Sequence, residues 1–148
     1  MGLIEAVGEG PAGVDTCAFI YFIEEHPRFL PVVAPLFEAA DRQRLRIVTS
    51  SVTLLEVLVV PLAAGDSALA ARYESLLTGS RGVSMVEIDR DQIHLAAYVR
   101  ARHRVRTPDA LQLSAALSRR CTVFVTNDRT LPALTDLRII QLSEYVTP

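Results

Sequence analysis

The chain has 148 residues, half of them hydrophobic, and 17 acidic against 15 basic side chains leave a net charge of −2. That length suits one domain, 1–148, with a single substantial core and apolar surface to spare for an oligomer interface. Every basic residue is an arginine, and the lack of lysine excludes a P-loop, a Schiff-base enzyme and lysine-dependent receiver or dehalogenase-type sites.

The tail up to Pro11 reads as irregular. Ala12-Gly13-Val14-Asp15 is a short strand ending in an acid. Phe19, Phe22, Ile23 and His26 recur at helical spacing until Pro27 stops the helix. A second helix runs from about Pro31 to Arg42 through Val32, Leu36 and Ala39. Arg46-Ile47-Val48-Thr49 reads as a strand, with Ser50 or Ser51 capping a helix that Pro61 ends or kinks. Asp66 caps the next helix, where Leu69, Tyr73, Leu76 and Leu77 share a face. Val83 to Ile88 alternates like a strand, and Asp89 opens a helix with Ile93, Ala96, Ala97 and Val99 inward.

Thr107-Pro108-Asp109 opens a further helix, with Thr at the cap, Pro in the first turn and Asp beside the positive dipole end. It continues through Leu111, Leu113, Ala116 and Leu117 to about Arg119-Arg120. Thr122-Val123-Phe124-Val125 is a buried strand, followed by Thr126-Asn127-Asp128 and a short helix. Arg138 to Leu142 is the last strand. Strands alternating with helices predict an α/β fold whose mainly parallel sheet is covered on both faces.

Cys17 and Cys121 lack zinc or CxxC spacing and read as small core residues of a reduced, cytoplasmic protein. The N-terminus has neither a basic start nor an uninterrupted apolar run, so no leader is expected. The stretch Ile47–Gly65 is uncharged except for Glu56. It approaches membrane length, but Ser50, Ser51, Thr53, Glu56 and Pro61 argue against a span.

Glu56 shares a helical stripe with Val52, Leu55 and Val59, so its carboxylate is expected to point where apolar side chains point. Buried there, an ionised carboxylate costs roughly several kcal/mol unless it is paired or binds a metal. Other acids fall at comparable places. Asp15 ends the first strand, Asp128 follows the fourth, and Asp109 opens the helix feeding the fourth. Ligands of open α/β sheets bind beyond the carboxyl ends of the strands. Each acid alone has a plainer role: Asp15 as a cap, Asp109 as a dipole partner, Asp128 in a turn, Glu56 reaching solvent or a distant arginine. Together at one rim they favour a hard divalent cation, Mg²⁺ or Mn²⁺, of the kind that activates water for phosphodiester displacement.

Val14-Asp15-Thr16, Thr53-Leu54-Leu55-Glu56-Val57-Leu58, Thr107-Pro108-Asp109-Ala110-Leu111 and Phe124-Val125-Thr126-Asn127-Asp128-Arg129 resemble the successive motifs of PIN-domain ribonucleases. The likeness is greatest to the VapC toxins of VapBC toxin–antitoxin pairs and covers nearly the whole chain. It implies a Rossmann-like α/β/α sandwich and a Mg²⁺- or Mn²⁺-dependent endoribonuclease. It makes Asp15, Glu56, Asp109 and Asp128 the catalytic, metal-binding quartet and Thr126 the supporting hydroxyl, and Thr16 matches the residue after the first acid. It further implies a homodimer silenced by a cognate VapB-type antitoxin. Many members carry an acid two residues beyond Asp128, where this chain has Thr130.

Arg100, Arg102, Arg104 and Arg106, with His103 among them, precede Asp109 and are candidates for holding an RNA backbone beside the acids; the plainer reading is a solvated helix end. Without tryptophan and with few tyrosines, a base-stacking platform is not evident, which favours recognition of RNA by shape. The alternative to a ribonuclease is a PIN-fold RNA-binding or regulatory module without turnover.

Overall fold

A computed structural model describes residues 2–148. Five strands form one parallel sheet: β1 (Ala12–Val14), β2 (Ile47–Ser50), β3 (Val83–Val86), β4 (Val123–Thr126) and β5 (Arg138–Gln141), in the order β3-β2-β1-β4-β5. Around it lie α1 (Leu3–Val7), α2 (Thr16–Ile23), α3 (Leu30–Asp41), α4 (Val52–Ala63), α5 (Ser67–Gly79), α6 (Arg90–His103) and α7 (Thr107–Ser118), with a 3₁₀ turn at Leu142–Tyr145. The parallel sheet and its helical covering are those expected.

Side-chain alternation along each strand divides the interior in two. Val14, Ile47, Val123, Val125 and Ile140 face a core completed by Phe19 of α2, Val33 and Leu36 of α3 and Tyr73 and Leu77 of α5. Val48, Val86 and Phe124 face the other, completed by Ala96 and Val99 of α6 and Leu113 and Ala116 of α7. The short β1 is crossed closely by α7. A Cβ on Gly13 would lie 2.7 Å from Ala116 Cβ and from Phe124 Cδ1, so only glycine lets the helix approach there.

The chain order reverses at the centre of the sheet. From β1 the chain moves outward through β2 to β3, then returns across the sheet to β4 on the other side of β1. The switch point therefore lies between β1 and β4, where a crevice opens beyond the strand ends.

Four local expectations are corrected. The tail to Pro11 contains helix α1, whose Leu3, Ala6 and Val7 are buried in the first core; Met1 lies outside the described residues. After Asp128 the chain makes turns and bends rather than a short helix. Asp128 Oδ1 accepts from both the N–H and the hydroxyl of Thr130 (2.9 and 2.6 Å), and this Asx turn closes the segment before Pro132. On α6 the inward residues are Gln92, Ala96 and Val99, while Ile93 and Ala97 are exposed, so the true face is turned by one residue. The residue preceding α7 is Arg106, not Thr107, and Thr107 Oγ1 instead accepts from Arg100.

Both cysteines are free, Cys121 buried and Cys17 half-buried. Burial pushes both thiols up to about 12, which leaves them protonated and unreactive at neutral pH. No helix among the described residues is long and apolar enough to cross a membrane.

Candidate active site

Asp15 sits at the switch point. Its N–H donates to Val125 O across the strand ends at 2.9 Å. Its carboxylate is held on both sides, Oδ1 by the N–H of Thr16 at 2.8 Å and Oδ2 by the hydroxyl of Thr126 at 2.7 Å. Despite these bonds its pKa lies above the ordinary carboxylate value. Burial is the main cause, and the charges of Asp109 and Glu56 add to it against the two hydrogen bonds. Two of the other candidate acids thus act electrostatically on Asp15.

Glu56 reaches this rim by a different route from the one its sequence suggests. It is exposed rather than buried, as are its stripe neighbours Leu55 and Val59, at 64% and 57% of their surface. The buried residues of α4 are Val52, alone of the expected stripe, and the neighbouring Thr53, Val57 and Pro61. The sharing of one face by Glu56, Leu55 and Val59 stands, but that face is turned outward because α4 lies at the sheet's rim. No burial penalty forces a cation onto Glu56. What positions it is a short bond from the hydroxyl of Thr16 to Oε1, at 2.7 Å.

Asp109 opens α7 and is largely covered, and its Oδ2 accepts from Nε of exposed Arg106 at 3.1 Å. The bond to Asp109, together with the charges of Asp109, Asp128 and Glu56, holds the guanidinium above its usual pKa, so it stays protonated. Asp128 follows β4, and its N–H donates to Thr126 Oγ1 at 3.0 Å. The hydroxyl and N–H of Thr130 and the charge of Arg106 keep its carboxyl below the ordinary range against partial burial. Thr126, fully buried, thereby joins Asp15 to Asp128.

The four arginines before Asp109 divide in their placement. Arg106 lies among the acids. Arg100 braces the connection to α7, donating to Val105 O at 2.9 Å and to Thr107 Oγ1 at 3.1 Å. Arg102 lies over the ring of Tyr98, and Arg104 closes α6 in the left-handed region. His26 caps a turn through Nδ1, accepting from Arg28 and Phe29 N–H groups.

This arrangement of acids around β1, α4, α7 and β4 coincides with a family match over residues 13–137, to the PIN domain. The chain belongs to the PIN-domain family. Solved structures of similar fold include VapBC2 from Rickettsia felis bound to a promoter DNA fragment (TM-score 0.66, 16% identity, 88% of this chain and 97% of that one). A toxin–antitoxin complex from Klebsiella pneumoniae (TM-score 0.62, 18% identity, 84% and 92%) is also similar. So is DNA-bound VapBC from Salmonella typhimurium (0.61, 23%, 88% and 97%). No curated protein matches the chain.

The donors of this PIN domain suit a hard divalent cation in kind: all are carboxylate oxygens, the choice of Mg²⁺ or Mn²⁺. Hydrogen bonds engage one oxygen each of Glu56, Asp109 and Asp128, which leaves the second oxygen of each for a cation. Their side chains are not closed up, however. Among the described residues no three His, Cys, Asp or Glu side chains are grouped closely enough to enclose an ion. Arg106 supplies the positive charge instead.

Sequence reasoning passed over Gln112, which is buried one turn after Asp109 with its amide among Thr16, Thr49 and Thr53. The signal was available. It is a polar residue on the face of α7 that carries Asp109, between Leu111 and Leu113, where an unpaired amide costs roughly 1–3 kcal/mol.

Proposed function

We propose that this PIN domain, spanning 1–148, is a Mg²⁺- or Mn²⁺-dependent endoribonuclease and the toxin of a type II toxin–antitoxin pair, working in the cytoplasm. The observation that carries the reading is the linking of three acids beyond the strand ends: Thr16 bonds to Asp15 and Glu56, and Thr126 bonds to Asp15 and Asp128. Asp15, Glu56, Asp109 and Asp128 would hold the cation. When bound, such an ion supplies water activation and neutralises charge developing on a phosphodiester.

The protein's own groups do the positioning. Thr126 fixes the orientation of Asp15, and Thr16 that of Glu56. Arg106, exposed and permanently charged, is placed to meet a phosphate of the RNA backbone, to which a guanidinium can donate twice. Arg100, Arg102 and Arg104 extend the positive charge along the end of α6.

Partners are inferred from surface and likeness. Leu55, Val59 and Leu62 recur at i, i+4 and i+7 on α4 and, with Val60, are all more than half exposed. A continuous apolar stripe of this kind marks a protein contact, and we assign it to a homodimer. A VapB-type antitoxin is the natural inhibitor, since the similar solved structures are toxin–antitoxin complexes.

The test is cleavage of total RNA by the purified chain with Mg²⁺ or Mn²⁺. Asp109→Asn and Glu56→Gln should each remove cleavage while leaving circular dichroism and cooperative unfolding intact. Retained cleavage by either variant defeats the assignment of catalysis to these acids. Wild-type protein that binds RNA without cutting it supports the silent RNA-binding module instead.

A further inference from the structure

We infer that Gln112 is a positioning residue that sets the direction of the hydrogen bond from Thr16 to Glu56, and so holds Glu56 ready for the divalent cation. The inference rests on the metal-dependent reading above.

The buried amide has only one workable orientation. The N–H of Ser50 lies 3.2 Å from one end of it, and a backbone N–H can only donate, so that end is the carbonyl Oε1. The NH₂ end must then face Thr53 Oγ1 at 2.5 Å and Thr16 Oγ1 at 3.2 Å. Each threonine has a single hydroxyl proton, and an acceptor site on each is filled by Gln112. Thr53 and Thr49 share a bond at 2.7 Å in which either hydroxyl can donate, and Thr49 Oγ1 lies 2.9 Å from the carbonyl of Val14 and 3.3 Å from Gln112 Oε1. Thr16 directs its proton to Glu56 Oε1 at 2.7 Å. One chain of bonds from this amide, through Thr16, thus ends on a candidate metal ligand.

The need for such a device follows from the exposure of Glu56. A solvated glutamate on a helix surface samples many rotamers, and ordering it has an entropic cost. With its acceptor side occupied by Gln112, the Thr16 hydroxyl directs its one proton to the nearer of two acceptors, Glu56 Oε1 at 2.7 Å over Thr53 Oγ1 at 3.3 Å. Gln112 also lies three residues after Asp109, so the helix that presents one acid orders the residue that orients another. Direct partners of metal ligands, as Thr16 is of Glu56, commonly govern affinity by about tenfold or more, and Gln112 acts through Thr16.

The experiment measures Mn²⁺ affinity by electron paramagnetic resonance, without RNA, for the full chain and for Gln112→Met, Thr16→Val, Thr16→Ser and the Gln112→Met/Thr16→Val double variant. Gln112→Met and Thr16→Val should each weaken Mn²⁺ binding about tenfold. The double variant should be no weaker than Thr16→Val alone, because both remove the same bond. Thr16→Ser, which keeps the hydroxyl, should bind as wild type. Gln112→Glu gives the same reading if Gln112→Met does not fold, since it keeps the shape and loses the paired donors. Wild-type affinity in a Gln112 variant, or losses that multiply in the double variant, overturns the inference while leaving the ribonuclease reading intact. Wild-type protein that takes up no Mn²⁺ overturns both.

Discussion

Thr126 and Asp15 are 111 positions apart in sequence, yet the hydroxyl of one lies 2.7 Å from the carboxylate of the other, across adjacent strand ends. The bond works against the burial that raises the Asp15 pKa, and the same oxygen of Thr126 receives the Asp128 N–H. Thr126→Val preserves shape and removes both contacts. Loss of a bond to a charged group of this kind is worth about 1.5–3 kcal/mol. RNA cleavage by Thr126→Val should therefore fall about ten- to a hundredfold, and its Mn²⁺ requirement should rise. Undiminished cleavage at low Mn²⁺ would leave Thr126 a purely structural residue.

Asp15 also makes stability depend on pH in a defined direction. Its carboxyl has a higher pKa folded than unfolded, where it is near 3.8. The folded state therefore binds the proton more tightly, so this contribution is fully present below about 3.8 and is lost as pH rises through the folded value. Asp15→Asn cannot ionise. Without divalent cations it should melt at a higher temperature than wild type at neutral pH, and the gap should close below pH 3.8. Added Mn²⁺ should reverse the order, because only the wild type gains from a ligand bound to the folded state. Equal melting at pH 7 in chelator would mean that the carboxylate is not penalised there.

The fold was legible in the sequence to a greater extent than the surroundings of the site. The continuous apolar run Val123 to Val125 and helical recurrence in Leu36, Tyr73 and Leu77 reflect burial and period, which local sequence carries. The outward turn of Glu56 does not, because α4 is apolar on two faces. Sequence periodicity cannot tell the side packed on the core (Thr53, Val57, Pro61) from the side at the surface (Leu55, Val59, Leu62). The premise that burial forces a cation onto Glu56 fails, although its place at the rim with the other acids does not depend on that premise. The Gln112 network was hidden for another reason: its members come from α2, β2, α4 and α7, and only the tertiary fold joins them.

Arg106 gives a prediction with two opposite signs. Its guanidinium bonds to Asp109 and lies within reach of the charges of Asp128 and Glu56. Arg106→Gln removes a cation that competes for those carboxylates, so Mn²⁺ should bind more tightly by calorimetry. The same change removes a phosphate contact. RNA affinity should fall, and the slope of log K against log salt should shrink by about 0.7 for a single-stranded substrate. A variant that loses RNA affinity with an unchanged salt slope would show that Arg106 does not meet the backbone.

The apolar stripe on α4 is tested by charge. Val59 is more than half exposed, so Val59→Glu should cost the isolated fold little, within about 0.5 kcal/mol. If the stripe joins two copies, the substitution buries carboxylates against apolar surface and should shift sedimentation from dimer to monomer at micromolar concentration. A dimer unaffected by Val59→Glu places the interface elsewhere.

The last prediction concerns the close approach that lets α7 bring Asp109 to the rim. Gly13→Ala would set a methyl 2.7 Å from Ala116 Cβ and Phe124 Cδ1, both on rigid elements in the second core. Neither neighbour is the far end of a flexible side chain, so the helix or the strand must give way. Overpacking of this sort costs about 1–3 kcal/mol. Denaturant unfolding should show that loss with an unchanged m-value. Because α7 shifts as a unit, RNA cleavage should drop more than the loss of folded protein explains. A Gly13→Ala variant of wild-type stability would mean that α7 has room to move, and that its distance from β1 does not fix the position of Asp109.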